Sequence, residues 1–192
     1  DYTSITSFNL SNVRILGNPE KQAKQTMPWS VKNFDVSYAY NKQFKRNPII
    51  QSDELVNHRI GLAYTYNIKT YSVEPFKRMI KSKSKWWALL KDFNLNLLPA
   101  NFTFRTDLNK IMNETLVRNV TDGPISIQPT YYKNFTWSRV YETRWELTRS
   151  LSFNYKATNN SRIDEPYGRI DNSAKKDSLW NEIWSFGRNT YY

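Results

Sequence analysis

The feature that most constrains this chain is a strict two-residue alternation between Phe135 and Ala157. Because successive side chains of a β-strand point to opposite faces, this period predicts strands with two unlike faces rather than a helix. One face is largely apolar and carries Phe135, Trp137, Tyr141, Trp145, Leu147, Leu151, Phe153 and Tyr155. The other face is polar and includes Glu142, Arg144, Glu146, Asn154 and Lys156.

The alternating stretch predicts a hairpin. As one strand it would be roughly 70 Å long at about 3.3 Å per residue, whereas a three-residue turn at 148–150 shortens it and keeps both arms in phase. This register sets Leu147 opposite Leu151, Trp145 opposite Phe153 and Thr143 opposite Tyr155 on the apolar face. On the polar face it sets Glu142 opposite Lys156, an oppositely charged cross-strand pair.

The same alternation recurs upstream, at 34–40, 60–68, 93–97 and 102–108. An earlier strand at 5–16 changes phase between Leu10 and Val13, as a β-bulge would cause. The pattern predicts an all-β segment of about seven antiparallel strands across 1–192, without separate domains. Tight turns are expected at Pro99 and 148–150, and long connections at 17–28, 71–91 and 120–132. Short turns on one side and long loops on the other are typical of outer-membrane barrels, although soluble sandwiches also show them.

One segment departs from the two-residue period. After Glu74 and Pro75, apolar side chains fall on helical spacing at Phe76, Met79, Ile80, Trp87 and Leu90, among Lys77, Arg78, Lys81, Lys83, Lys85 and Lys91. The spacing predicts a short basic helix near 75–91. Such a helix would suit a membrane interface or a loop packed on a barrel rim.

Composition narrows the environment of the sheet. The chain has 7 Trp, 13 Tyr and 10 Phe, a mean hydropathy of −0.73 and a net charge of +11. So many rings exclude a disordered chain. An aromatic face repeated on every strand needs a second sheet or lipid against it, and the polar face needs solvent or a hydrated lumen. The excess of positive charge is compatible with nucleic acid, anionic lipid or a polar lumen, but rings spread over all strands argue against a nucleic-acid stacking platform.

The residues for catalysis or cofactor binding are sparse. His58 is the only histidine and there is no cysteine, so this chain alone cannot build a catalytic triad or a Cys/His metal cluster. The carboxylates of Asp164 with Glu165, and of Glu142 with Glu146, could supply an acid and a base, but ion-paired or solvated roles are expected. We therefore expect no cofactor, no metal and no enzymatic activity.

Several phrases of the sequence resemble one family. They are PWSVKNF at 28–34, EPF at 74–76, DFNLNLLP at 92–99, FRTDL at 104–108, FTWSR at 135–139, WELT at 145–148, NNS at 159–161 and IDEP at 163–166. These phrases resemble the SprA/Sov family, the outer-membrane translocon of the type IX secretion system. The resemblance extends over most of the chain, from about residue 5 to residue 192.

The resemblance implies a function in protein export. Members of the family are very large single-chain barrels of Bacteroidetes-type Gram-negative bacteria, through which folded cargo proteins leave the periplasm. A PorV-type barrel at a lateral opening, a plug protein, secreted cargo, membrane lipid and lipopolysaccharide are the implied partners, and nucleic acid is not. Because this chain is far shorter than the family, it is expected to be a segment of such a wall.

The sequence is therefore compatible with two functions. In the first, the eight residues of the apolar face named above contact lipid or a partner, and the five polar ones face the lumen. In the second, the chain is a soluble all-β module whose exposed aromatics bind a glycan or single-stranded nucleic acid.

Overall fold

The computed structural model describes residues 1–16, 27–69, 71–76, 94–120, 126–148 and 150–190. Within these ranges it is mostly antiparallel β-sheet with one short α-helix. The strands are β1 (Tyr2–Val13), β2 (Phe34–Arg46), β3 (Ile50–Asn67), β4 (Ser72–Val73), β5 (Leu95–Asn96), β6 (Asn101–Val117), β7 (Thr130–Glu146), β8 (Ser152–Ile163) and β9 (Arg188–Thr190). The helix is α1 (Ser173–Trp184), and a 3-10 turn at Val31–Asn33 precedes β2.

Seven of the strands form one sheet in the order β1-β2-β3-β6-β7-β8-β9. Every neighbouring pair is antiparallel, and β4 and β5 form a separate two-stranded sheet. The long central strands β3, β6 and β7 have 18, 17 and 17 residues. Their Tyr, Phe, Trp, Thr and Ile content favours a pleated surface.

The predicted hairpin is confirmed in its register. Trp145 lies opposite Phe153, Thr143 opposite Tyr155, and Glu142 opposite Lys156. The Thr148 hydroxyl oxygen accepts hydrogen bonds from the amides of Ser150 and Leu151, which closes the turn. Leu147 and Leu151 lie just beyond the strand ends and flank this turn.

The predicted bulge in the first strand is also confirmed. The register of β1 against β2 shifts between Leu10 and Val13, and Asn12 has a φ of 53°, in the left-handed region that asparagine tolerates better than most residues. The strand itself ends earlier than expected, at Val13 rather than residue 16.

The strand predicted at 93–97, followed by a turn at Pro99 and a further strand, is confirmed in part, since β5 (Leu95–Asn96) lies within it and β6 begins at Asn101. Within the described residues only Leu95 and Asn96 are extended there, and they pair with β4 instead of β6. β6 pairs with β3, the previous long strand along the chain. Alternation over a few residues does not identify the pairing partner, because register and partner depend on contacts distant in sequence.

The helix differs from expectation as well. The basic helix predicted near 75–91 lies almost wholly outside the described residues, and the described part, 75–76, forms a turn. The helix of the structure is α1, which the two-residue pattern did not reveal. The Asn172 side chain caps it by accepting from the Lys175 amide at 2.9 Å, and Gly187, with a φ of 64°, follows its end.

Long and short connections do not separate to opposite ends of the sheet, contrary to expectation. The tight turn at 148–150 shares one end with the connections 14–33 and 68–100, because Val13, Phe34, Asn67 and Asn101 all end or begin strands there. The other end carries the short turn at 47–49 and the connections 118–129 and 164–187. Loop length alone therefore does not orient this sheet.

The sheet is a single layer with very little core. Among the described residues, Phe135 and Ile163 are the only apolar side chains that are buried. Large apolar side chains on the strands stay half exposed, including Phe8, Ile60, Phe153 and Tyr155 at 50, 44, 51 and 51%. In the described part of the chain no second sheet covers either face, and only the segment between β8 and β9 lies against part of one face.

Candidate functional site

The candidate site is one entire face of the seven-stranded sheet. Residues directly opposite each other in neighbouring antiparallel strands point to the same face, so the register aligns side chains in rows that cross the sheet. Rows on one face recur every two residues, about 7 Å apart along the strands. We call the face that bears Phe104, Tyr141 and Trp145 the aromatic face, and the opposite one the polar face.

Three rows of rings lie nearest the 148–150 turn on the aromatic face. Ring contacts link them across strands, with centroids 4.9 Å apart for Phe34 and Tyr64 and 5.0 Å for Phe104 and Tyr141. The indole N–H of Trp145 donates to the Asn96 carbonyl at 2.9 Å, which fixes the ring at the end of the sheet. The aromatic members of these rows are Trp145, Phe153, Tyr66, Phe102, Tyr155, Phe34, Tyr64, Phe104 and Tyr141.

The next two rows are richer in aliphatic side chains. They contain Val13, Val36, Leu62, Leu10, Tyr38, Ile60, Leu108 and Trp137, together with the polar Thr106, Arg139, Asn159 and Ser161 at the β6–β8 side. The sixth row again contains aromatic rings, those of Phe8, Tyr40 and Phe135. Its other members are His58, Lys110 and Ile163. The aromatic face is thus banded, with rings on both sides of an aliphatic middle.

Charged side chains become frequent from the sixth row onward, toward the 47–49 turn. The sixth row contains Lys110, the seventh contains Lys42 and Lys133, and the eighth contains Glu54 and Glu114 beside the rings of Phe44 and Tyr131. Lys42 pairs with Glu54 at 2.8 Å. We call the seventh and eighth rows the charged rows, because ion pairs lie among the apolar side chains there.

A segment that follows β8 covers these charged rows. The Glu165 side chain is only 2% exposed, and its carboxylate lies 3.2 Å from the Lys110 ammonium and 3.6 Å from that of Lys133. Lys133 also donates to the Pro166 carbonyl at 2.8 Å, and the Tyr167 ring packs edge-on against Tyr131. We call residues 164–169 the strap.

The strap ends in a further ion pair. The Arg169 guanidinium donates to the Glu114 carboxylate, and this hydrogen bond holds the pKa of Arg169 above its ordinary value. The pKa of Asp171 is lowered in turn, first by its hydrogen bond from the Lys175 ammonium. The strap is therefore fixed to the aromatic face mainly by charge.

An arginine lies in the middle of the banded face. Arg139 is 7% exposed; its guanidinium lies 4.5 Å from the Trp137 ring centroid and 5.2 Å from that of Phe186. Phe186 stacks on Trp137 with centroids 5.7 Å apart, and Asn159 accepts a hydrogen bond from Arg139. The residues after α1 thus cover the one cation of the two middle rows.

The polar face consists mainly of Asn, Ser and Thr, with a small excess of positive charge. Its seven bases and five acids on the strands are Lys45, Arg59, Arg105, Arg144, Lys156, Arg162, Arg188, Asp35, Asp53, Asp107, Glu142 and Glu146. Neighbouring amides bond across strands, as Asn101 does to Asn67 at 2.7 Å. A groove of about 340 Å³ crosses this face between Asp35 and Lys156, so the polar face is locally concave.

The structure places every strand residue of the two predicted sets on the expected face. Glu142, Arg144, Glu146, Asn154 and Lys156 lie on the polar face, where Glu142 pairs with Lys156 at 2.7 Å and Glu146 with Arg144 at 2.8 Å. The aromatic face carries Phe135, Trp137, Tyr141, Trp145, Phe153 and Tyr155. Phe135 is covered by protein, at 7% exposed, whereas Tyr155 is open.

The possible acid–base residues are ion-paired, as expected. Asp164 contacts Arg162 and Arg188, whereas Glu165 points to the two lysines under the strap. His58 accepts or donates a hydrogen bond with the Tyr38 hydroxyl at 3.1 Å and packs against the Tyr40 ring. In the described part of the chain no group of three or more His, Cys, Asp or Glu side chains is arranged to hold a metal ion.

The fold and these surfaces define a class: an amphipathic, single-layer antiparallel sheet with one banded aromatic face and one polar face of mixed charge. Known protein families and curated proteins were compared with the chain, and neither comparison gave a significant match. None of the helices within the described ranges has the length and apolar character needed to cross a bilayer.

A substitution at Gly187 tests whether its close contact with Arg162 is needed for the pairing of β9 with β8. A Cβ at Gly187 would lie 2.7 Å from the Arg162 carbonyl oxygen, and its φ of 64° already disfavours other residues. Gly187→Ala should therefore weaken the β8–β9 pairing by about 1 to 3 kcal/mol, measured by amide exchange at Asn189. Gly168→Ala is the matched control, because Gly168 also has a positive φ (81°) but only a flexible lysine near its Cβ. Equal effects of the two substitutions would show that the contact with Arg162 is unimportant.

Proposed function

We propose that the chain forms consecutive antiparallel strands in the wall of a large outer-membrane β-barrel of a Gram-negative bacterium. The aromatic face contacts lipid and the polar face lines a water-filled lumen. The observation that carries this proposal is the banded aromatic face, which no second sheet covers in the described part of the chain. A soluble protein rarely leaves so large an apolar surface open to water.

The dimensions of the band support a membrane environment. From Trp145 to Phe135, ten residues along β7, the strand advances about 34 Å at about 3.4 Å per residue. Tilted by about 40°, this length spans about 26 Å, close to the ~25 Å apolar band of outer-membrane barrels. Rings at both edges with aliphatic side chains between them are the arrangement of such bands, because aromatic side chains favour the two membrane interfaces.

The strand lengths agree with this reading. A tilted strand needs about 9 to 11 residues to cross a bilayer. β3, β6 and β7 have 18, 17 and 17 residues, so each extends well past the membrane. The extra residues lie toward the 47–49 turn, where the charged rows and the strap would be in the hydrated headgroup region or above it.

The finer proposal is a protein-conducting channel of the type IX secretion system. It rests on the resemblance of the sequence phrases to the SprA/Sov family and on a polar face suited to a wide hydrated lumen. The mechanism would be conduction without chemistry, because a wall of amides, hydroxyls and charges of both signs offers a cargo protein few apolar places to adhere. The rest of the barrel, a PorV-type barrel, a plug protein, cargo, lipid and lipopolysaccharide would be its partners, with no nucleic acid and no cofactor.

Single-cysteine labelling along β8 tests the two faces, and the absence of cysteine from this chain makes the sites unambiguous. In membranes, a water-soluble maleimide should react with Asn154→Cys and Lys156→Cys through a hydrated lumen but not with Phe153→Cys or Tyr155→Cys in lipid. All four side chains are exposed in the chain itself, so differences report the environment rather than packing.

The outcome separates the two candidate functions. A soluble module that binds a glycan or single-stranded nucleic acid would react at all four positions and would purify without detergent. Reaction at Phe153→Cys and Tyr155→Cys with protection at Asn154→Cys and Lys156→Cys would reverse the proposed orientation.

A further inference from the structure

The strap, α1 and the residues up to Gly187 form a continuous arm on the aromatic side of the sheet. The arm starts at the charged rows, where Glu165 and Arg169 are ion-paired to the strands. It returns to the middle of the band, where Phe186 stacks on Trp137. β9 then pairs with the end of β8, which brings the chain back into the sheet. The arm therefore reaches from the charged rows into the middle of the aromatic band.

α1 has an apolar side that the sheet only partly covers. Leu179 and Ile183 are half-buried, whereas Trp180 and Trp184, one helical turn apart, are 58% and 75% exposed. The opposite side of the helix carries Ser178 and Glu182, whereas Asp177 lies one turn before Trp180 on the tryptophan side. Two neighbouring tryptophans left open on one side of a helix need an apolar environment against them.

The contacts at the two ends of α1 show which rows of the aromatic face lie beneath it. Arg169, shortly before the helix, pairs with Glu114 in the eighth row, and Phe186, just after it, lies on Trp137 in the fifth row. Its C-terminal half, with Trp180 and Trp184, is thus the half nearer the band.

We propose that Trp180 and Trp184 insert into the lipid bilayer and hold the arm over Arg139. The proposal rests on the proposed function, since it takes the aromatic face to contact lipid. Tryptophan is the residue best suited to this depth, because its ring is apolar and its N–H can reach the headgroups. The arm then shields a guanidinium that would otherwise face the membrane interior, while Asn159 and the Trp137 ring satisfy it from the sheet side.

Spin labels at single cysteines test the insertion in membranes that contain the whole protein. Labels at Trp180→Cys and Trp184→Cys should collide more often with oxygen, which concentrates in lipid, than with a water-soluble nickel complex. A label at Ser178→Cys, exposed on the other side of α1, should show the opposite preference. Tyr155→Cys, on the aromatic face and away from the arm, is the reference for the sheet.

The reference separates failure of this inference from failure of the proposed function. If Tyr155→Cys is in lipid while both helix labels contact the nickel complex, α1 lies in water and the inference is wrong. Shielding of both helix labels from both reagents would mean that a protein partner covers the tryptophans, which also overturns it. A Tyr155→Cys label in water would instead reject the proposed function.

Discussion

Replacing Ile60 with arginine should lower the unfolding free energy by about 2 to 4 kcal/mol when the protein is measured in a lipid bilayer. Ile60 is 44% exposed in a middle row of the aromatic face, between Tyr38 and Leu108. Little packing is lost by changing a side chain this open, so the cost arises almost entirely from placing a guanidinium in lipid. In water the same change would lie within about 0.5 kcal/mol.

Ser52→Arg is the matched control for this experiment. Ser52 lies on the same strand and the same face, but beyond the charged rows. Urea titration in bilayers should give a cost of at most about 1 kcal/mol there, as for sites near a membrane interface. Trp145→Lys, at the outermost row of rings, should likewise cost less than Ile60→Arg. Equal costs at Ile60 and Ser52 would contradict a lipid-facing band.

The second large effect is expected at Glu165. Glu165→Gln keeps the shape of the side chain but leaves Lys110 and Lys133 without their shared carboxylate. The Lys133 side chain is 10% exposed, so water compensates poorly. Removing one partner from a buried ion pair costs about 3 to 5 kcal/mol. Amide exchange at residues 164–169 should therefore become faster by roughly two to three and a half orders of magnitude, at about 1.4 kcal/mol per tenfold.

Two further variants show whether unpaired charge causes the faster amide exchange of the strap. Asp164→Asn removes a neighbouring carboxylate whose side chain is 42% exposed, and should change exchange by less than tenfold, as exposed pairs contribute at most about 1 kcal/mol. Combining Glu165→Leu with Lys110→Met and Lys133→Met should restore protection, because an apolar cluster can replace a buried ion pair. Loss of protection in this triple variant would mean that the strap needs the ion pairs themselves, and that an unpaired buried charge does not explain the effect of Glu165→Gln.

The alternating pattern was sufficient to predict much of the sheet. It gave the 145–153 register correctly, since a period of two and a short turn leave few ways to pair two amphipathic strands. It also located the bulge after Leu10. At 93–97 it indicated a strand but not its partner, because the alternation there is too short to specify one. It detected only part of β3, because Ile50–Asn57 mixes charged and apolar residues on one face.

The charged rows and the arm could not be predicted from local patterns. Glu165 meets Lys110 and Lys133 only because β6, β7 and the strap converge, and nothing near Glu165 in sequence indicates these partners. α1 had a local signal, since Asn172 is a good cap and Leu179 with Ile183 has helical spacing. The helical spacing of its apolar residues extends over few residues, however. The contact of Phe186 with Trp137 depends on the folded sheet.

The mixed charge of the polar face has a consequence for the ions that a lumen lined by this sheet would hold. A pore lined with one sign of charge accumulates mobile ions of the other sign and selects for them. The strands place seven bases beside five acids on this face, so acidic side chains offset most of the positive charge. This part of the wall would therefore favour anions only weakly, and it would bind an acidic or a basic exported protein only weakly through net charge.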